Sequence, residues 1–236
     1  VEYFLKGLRA PLFKLVNFKS KDKFSCPICK YHGPFMDKNN RLRAKCPKCG
    51  ELERARLARL VIDKIYDDKK AAETDVLHIS PENSLRKFFK KRFKSYISSD
   101  LYRKDVDHQF DIEEIPYPNK SFDLVFASHV LEYVRNDKKA IREIQRVLRP
   151  GGLAFLPVPM LHEKTIDFEE RPLNKRIIRE TGIDYFDRYR DVFIEVEVYD
   201  PSSFDEAFNL TIDMEDQSNS EKSIYQLPNF LPVCKA

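Results

Sequence analysis

From residue 51 onward, short apolar runs alternate with amphipathic stretches along the chain. Leu57, Leu60, Val61 and Ile65 recur at helical spacing behind the early acids Glu51 and Glu53, which predicts a helix over 51–66. Residues 67–74 are polar and read as a connector, and then the period changes. Val76, Leu77, His78 and Ile79 form a short strand of the kind buried in a sheet, ending at Ser80 and Pro81. A helical pattern fills 84–93, a second strand covers 96–99 and ends at Asp100, and a third covers 122–127. Ile141, Ile144, Val147 and Leu148 mark an amphipathic helix that Pro150, Gly151 and Gly152 stop, ahead of a strand at 153–158. Beyond it the pattern gives a helix at 185–189, a strand at 192–199, a polar loop at 213–222 and a last strand at 230–234. Strands alternating with helices predict an α/β fold: a mostly parallel sheet with helices on both faces.

The stretch before this pattern is different. Cys26 and Cys29, and again Cys46 and Cys49, form two Cys-x-x-Cys pairs separated by 16 residues. Pro27, Pro47 and Gly50 supply the turn chemistry of metal-binding knuckles. Two facing knuckles give the all-sulfur tetrahedral shell that suits structural Zn²⁺, a closed site with no open position for a substrate. The other readings, two disulfides or a redox pair, lack a secretory signal or a surrounding βαβ pattern. The domain expectation is therefore a basic segment at 1–23, a zinc ribbon at 24–50, a linking helix at 51–73 and an α/β domain at 74–236. The fifth cysteine, Cys234, is expected as a buried apolar residue near the last strand.

Charge sharpens the division. Residues 1–60 hold 15 Lys/Arg against 5 Asp/Glu, and the rest hold 27 against 33. Four thiolates and one Zn²⁺ would trim the first excess from +10 to about +8. A basic appendage on an acidic body suits an anionic partner such as nucleic acid, a phosphorylated metabolite or a membrane surface; a merely solvated face is the alternative. Tyr31, Phe35 and Phe24 would suit either base stacking or a small core. No apolar run approaches the roughly 20 residues of a bilayer span, so a cytoplasmic protein is expected. The chain opens on Val1 rather than Met, which leaves its natural start open.

In open parallel sheets ligands bind at the carboxyl ends of the strands. The first strand leads into Ser80, Pro81, Glu82 and Asn83, and the second ends in Asp100, 22 residues after His78. An acid about 20 residues beyond the first turn is placed to accept ribose hydroxyls. A nicotinamide dinucleotide fits poorly, because no Gly-x-Gly-x-x-Gly follows the first strand to receive a pyrophosphate.

Residues 111–134 and 140–159, with 77–82 and 96–101 upstream, resemble the signature segments of class I S-adenosylmethionine-dependent methyltransferases of the type 11 kind. The run from Cys46 to Arg54 is similar to that of a subgroup with a four-cysteine zinc ribbon ahead of a Rossmann-like catalytic domain. The resemblance implies S-adenosyl-L-methionine as cofactor. His78, Ile79, Ser80, Pro81 and Glu82 would pass under its methionine part. Asp100 would bind the ribose, with Leu101 near the adenine. Asp111 and Ile112 would flank the ring, and Ser128 and His129 would face the sulfonium and the acceptor. Thr165 and Asp167 match a Thr-x-Asp stretch of the subgroup. Two positions depart from the pattern: the first turn is Gly-poor, and Tyr133 stands where a His commonly follows Val130, Leu131 and Glu132.

Methyl transfer to a hydroxyl needs alignment, exclusion of water and removal of a proton. His129 is the candidate base, with His162 a second; His32 and His108 read as surface or structural, and Glu132 as part of a helix N-terminal turn. The expected acceptor is a small molecule, for instance a sugar or glycan intermediate. The alternatives are an RNA methyltransferase that grips phosphate with the ribbon, and an inactive cofactor fold serving as a zinc-dependent interaction module.

Overall fold

The computed structural model describes residues 2–173, 175–213 and 229–236, with side chains from Arg9 onward. Its centre is a seven-stranded sheet. The strands are β1 (Asp75–Ile79), β2 (Ser95–Asp100), β3 (His108–Gln109), β4 (Phe122–Ala127), β5 (Leu148–Phe155), β6 (Glu195–Tyr199) and β7 (Leu231–Lys235). They lie in the order β6-β7-β5-β4-β1-β2-β3. β1 pairs in parallel with both β2 and β4, and β4 with β5, whereas β7 runs antiparallel between β5 and β6. The chain moves outward from β1 to β2 and β3 and then returns to β4 on the other side, so the order reverses beside β1. That is where an α/β sheet opens a crevice at its carboxyl edge.

The helices are α1 (Glu2–Val16), α2 (Glu53–Ile65), α3 (Asp68–Ala71), α4 (Asn83–Arg92), α5 (Asp137–Val147) and α6 (Tyr185–Arg190). Alternation along the strands sorts the core into two layers. Val76, Leu124 and Phe126 face one way, onto Leu57, Val61, Leu85 and Phe89 of α2 and α4. Leu77, Ile79, Val125 and Ala127 face the other way, onto Ile141, Ile144, Tyr185 and Tyr189 of α5 and α6. Among the described residues, no helix is long and apolar enough to cross a membrane.

Several expectations shift at their edges. The polar connector 67–74 contains a one-turn helix, α3, because the Asp67 side chain accepts from the Lys70 amide and caps it. Helix α5 ends at Val147, and Leu148 already opens β5. Arg149, Pro150, Gly151 and Gly152 then form an irregular start to that strand, where pairing moves from Phe122–Leu148 to Leu124–Leu153. Gly151 takes φ 78° there, and at Gly152 a Cβ would stand 2.9 Å from the Arg149 carbonyl. Of the loop expected at 213–222, only Asp213 is among the described residues.

The cysteine module is two small antiparallel ribbons, Phe24–Ser25 with His32–Gly33 and Met36–Lys38 with Arg41–Lys45. Arg56 of α2 ties it to the body. Its guanidinium is fully buried and donates to the carbonyls of Ala44 (2.9 Å) in the ribbon and Glu51 (3.2 Å). It also donates to Phe208 (2.9 Å) near the C-terminus and lies over the Phe35 ring.

Candidate functional site

A cleft of about 1020 Å³ opens at the carboxyl edge of the sheet beside β1. That volume is at the top of the usual range for ligand pockets, enough for more than one small ligand. Ile79 and Ser80 reach it from the end of β1, Asp100 and Leu101 from the end of β2, Asp111 and Ile112 from the loop after β3, and His129 from the end of β4.

The turn after β1 solves the Gly-poor problem with a serine. Ser80 has φ 51°, the left-handed conformation that glycine usually supplies. Its amide donates to the Ser99 carbonyl (2.7 Å), and its hydroxyl donates to Oδ2 of Asp100 (2.9 Å). Oδ1 of Asp100 accepts the amides of Tyr102 (2.8 Å) and Arg103 (2.9 Å). Burial pushes this carboxyl up, but the donors from Arg103, Tyr102 and Ser80 outweigh it and hold the group below the usual carboxylate range. Three of its roughly four acceptor positions are therefore filled internally, which leaves room for one further donor on Oδ2.

His78 lies elsewhere. Strand alternation sends its fully buried ring to the α4 side of the sheet, edge-on to Phe89 and Phe126. There Nε2 is 3.1 Å from Oε2 of Glu82, and Nδ1 is 3.1 Å from the Tyr96 hydroxyl. Burial works to raise the Glu82 carboxyl, and the bond and charge of His78, helped by Ser128, bring it below its ordinary value. His78, Pro81, Glu82 and Ser128 are thus a supporting layer under the turn and do not line the cleft.

His129 also has positive φ, 53°, fixed by its amide bond to the Pro157 carbonyl (2.8 Å). Its Nδ1 is 3.4 Å from Oε1 of Glu132. Glu132 lies in a first helical turn, as its position suggested, but that of a short 3₁₀ helix ahead of α5. It sits in a 3₁₀ turn, Leu131–Tyr133, with its carboxylate buried and Oε2 unpartnered among the described residues.

Thr165 and Asp167 hold the excursion after β5 in place. Thr165 donates its hydroxyl to Asp184 (2.7 Å), while Asp167 pairs with Arg188 and with Arg179 (2.9 Å). Burial tends to raise the Asp167 carboxyl, and the two guanidiniums outweigh it. His162 bonds Glu180 (2.9 Å) outside the cleft, His32 is exposed beside Ser25, and His108 is exposed against Tyr117. Cys234 is fully buried in β7. Sequence reasoning missed Tyr102, Phe110, Arg135, Arg171, Arg176 and Ile178, which line the cleft from loops without periodicity.

In the ribbon, the four Sγ atoms of Cys26, Cys29, Cys46 and Cys49 lie within 4.8 Å of one another. Cys26–Cys49 and Cys29–Cys46 are each 3.6 Å apart, far longer than the roughly 2.05 Å of a disulfide. A tetrahedron with Zn–S bonds of about 2.3 Å has edges of about 3.8 Å, so the donor set fits one zinc ion.

Residues 67–156 match the model of the methyltransferase domain family. Together with the structural neighbours below, this match supports a class I methyltransferase domain in the body of the chain. The 27-O-demethylrifamycin SV methyltransferase of Amycolatopsis mediterranei is 36% identical over 107 residues, 41% of this chain and 39% of that protein. The malonyl-[acyl-carrier protein] O-methyltransferase of Enterobacter lignolyticus is 34% identical over 87 residues, 34% of this chain and 35% of that protein. The chain thus spans less than two fifths of the length of these curated relatives. Among solved structures, an S-adenosylmethionine-dependent methyltransferase from Mesorhizobium loti superposes with TM-score 0.50 at 14% identity, covering 76% of this chain and 98% of that one. The [4+2]-cyclase SpnF gives TM-score 0.52 at 19% identity over 86% of this chain and 75% of that one. The fold is therefore shared with a cyclase as well as with a methyltransferase, and the reaction has to be argued from the site.

Proposed function

We propose that this protein transfers a methyl group from S-adenosyl-L-methionine to a small-molecule acceptor, with Zn²⁺ held by Cys26, Cys29, Cys46 and Cys49 as a structural ion. One observation carries the reading: the cleft beside β1 collects Ile79, Ser80, Asp100, Leu101, Asp111, Ile112 and His129 in one place. Asp100, with one acceptor position left, takes a ribose hydroxyl. Ile112, buried at the cleft wall, packs against the adenine, and Asp111 accepts from its exocyclic amine. The turn at Ser80 presents backbone to the methionyl part. The cofactor supplies an activated methyl carbon, so the protein has to align the acceptor, exclude water and remove a proton. His129 is suited to the proton: Glu132 engages Nδ1, which leaves Nε2 as the basic nitrogen. The rifamycin relative is named for a small-molecule acceptor, and the malonyl relative for an acyl group carried on a protein.

The test is calorimetry of S-adenosylhomocysteine binding to the zinc-loaded chain and to Asp100→Asn. Binding by the wild type, weakened at least tenfold in the variant, is expected; no heat with the wild type would sink the reading. A second reading, an RNA acceptor, draws on exposed Lys14, Lys19, Lys21, Lys23 and Lys30 around the ribbon. It requires RNA affinity that falls steeply with added salt.

A further inference from the structure

The cleft lining carries both signs of charge, the acids Asp100, Asp111 and Glu113 and the arginines Arg135, Arg171 and Arg176. The acids are engaged within the fold: Asp100 as described, Asp111 by the Glu113 amide (2.9 Å) and Glu113 by the Asn136 amide (2.9 Å). The three arginines are exposed, and their side chains make no hydrogen bond or ion pair among the described residues.

Their neighbours show that this is not the local habit. Arg179 and Arg188, from the same excursion after β5, are both neutralised by Asp137 and Asp167. The buried Arg179 also donates to the carbonyls of Val134 (2.6 Å) and Arg135 (3.3 Å), while the Ile178 amide donates to the Glu132 carbonyl (2.9 Å). These bonds clamp the excursion to the turn that carries Arg135. The clamp brings arginines from two distant segments to the lining of one cleft, which His129 and Tyr133 also line.

Three guanidiniums that line one cleft, without an ion pair among the described residues, repel one another, and an anion with several oxygens relieves that repulsion. The planar fork of arginine matches phosphoryl or carboxylate oxygens two at a time. A methionyl carboxylate carries one negative charge and would satisfy one of the three. We infer that Arg135, Arg171 and Arg176 form an anion subsite for the acceptor, and that the acceptor is a phosphorylated small molecule. This rests on the methyltransferase reading of the cleft and narrows its substrate class. A dianionic phosphoryl or a pyrophosphoryl group matches the charge of the three arginines better than a single carboxylate.

The test measures binding of inorganic pyrophosphate and of acetate to the zinc-loaded chain by calorimetry, with and without saturating S-adenosylhomocysteine. Wild type is compared with Arg135→Gln and with the double variant Arg171→Gln/Arg176→Gln. All three positions are exposed, and an unchanged melting temperature checks that the fold is intact. The expected result is pyrophosphate binding that persists beside S-adenosylhomocysteine and weakens at least tenfold in the double variant. Acetate should bind far more weakly, and S-adenosylhomocysteine affinity should stay within about twofold. Absent or variant-insensitive pyrophosphate binding overturns the inference. So does a loss of S-adenosylhomocysteine affinity as large as the loss of pyrophosphate affinity, since the arginines would then serve the cofactor. So does single-stranded RNA that depends on these arginines while pyrophosphate does not bind. If S-adenosylhomocysteine never binds while pyrophosphate behaves as expected, the transferase reading fails and the anion subsite stands.

Discussion

The Ser80 hydroxyl donates to Oδ2 of Asp100 over 2.9 Å, from a backbone held at φ 51°. A left-handed serine is strained by about 1 kcal/mol, and a hydrogen bond to a carboxylate returns a comparable amount. Ser80→Gly should therefore change the unfolding free energy by less than about 1 kcal/mol, because it removes strain and bond together. It should still weaken S-adenosylhomocysteine several-fold, because Asp100 loses one of the bonds that orient it. Ser80→Val keeps the strain, adds β-branching and loses the bond, and should cost about 2 kcal/mol or more. Urea unfolding and calorimetry on both variants check the pair.

The pH dependence follows from the same carboxylates. Asp100 and Glu82 are both held below their ordinary values in the folded chain. Such groups contribute stability that is present above their unfolded pKa, about 4, and is lost as the pH falls through the lower folded value. Stability attributable to them, and S-adenosylhomocysteine affinity through Asp100, should stay flat from pH 8 to about pH 5 and decline only below the ordinary carboxylate range. A fall in cofactor affinity between pH 7 and pH 6, followed by calorimetry, would show that another group governs binding.

The sheet was legible because its signals are local. Val76 to Ile79 and Phe122 to Ala127 are short apolar runs with turn residues behind them, and they became the paired central strands β1 and β4. Cys26, Cys29, Cys46 and Cys49 announced their own cluster through spacing. What was not legible has one main cause, which is side-chain direction. His78 sits one residue before Ile79, and strand alternation turns one into the α4 layer and the other to the cleft side. Glu132 is a helix-start acid, but of a 3₁₀ turn that buries it beside His129, which its position in the sequence did not tell. Arg171 and Arg176 belong to an excursion with no period, and the bonds of Arg179 and Ile178 to a distant turn bring it to the cleft. No local pattern encodes that.

Arg56 provides a test of how the ribbon and the body are joined. Its buried guanidinium satisfies carbonyls from the ribbon, from Glu51 just before α2 and from the segment at Phe208. Arg56→Met would keep much of the volume and leave those acceptors unpaired, at about 1–3 kcal/mol for each one that water cannot reach. A loss of about 3–5 kcal/mol in unfolding free energy is expected, together with faster release of zinc to a chelator. An equally stable variant with unchanged zinc release would show that the two parts are independent.

Chelation itself should act locally at first. Without a metal, four sulfurs within 4.8 Å of one another lose the ion that holds two very small ribbons together. The body keeps its own core around β1, β4 and β5. Zinc removal should therefore abolish ordered amide signals for residues 24–50 before those of the sheet. Simultaneous loss across the sheet, read by hydrogen exchange, would mean that the ribbon is part of one folding unit.

Glu132 separates a catalytic His129 from a merely structural one. The carboxylate is buried, reaches Nδ1 of His129 with one oxygen and leaves the other unpartnered among the described residues. As a positioning group it fixes the ring with Nδ1 protonated and Nε2 free to accept a proton. Glu132→Gln keeps the shape but can offer Nδ1 its amide donor as readily as its acceptor, which favours the wrong tautomer. Its turnover should fall by about 10- to 100-fold, within the range set by general-base catalysis, while S-adenosylhomocysteine affinity stays unchanged. His129→Ala should fall at least as far, and combining the two should add little, because both changes remove the same function. The solvent isotope effect distinguishes the roles: proton removal by His129 should slow wild-type turnover in D₂O, and His129→Ala should lose that sensitivity. Undiminished turnover in His129→Ala with cofactor bound would remove the base assignment and leave the dyad as a prop for the strand end.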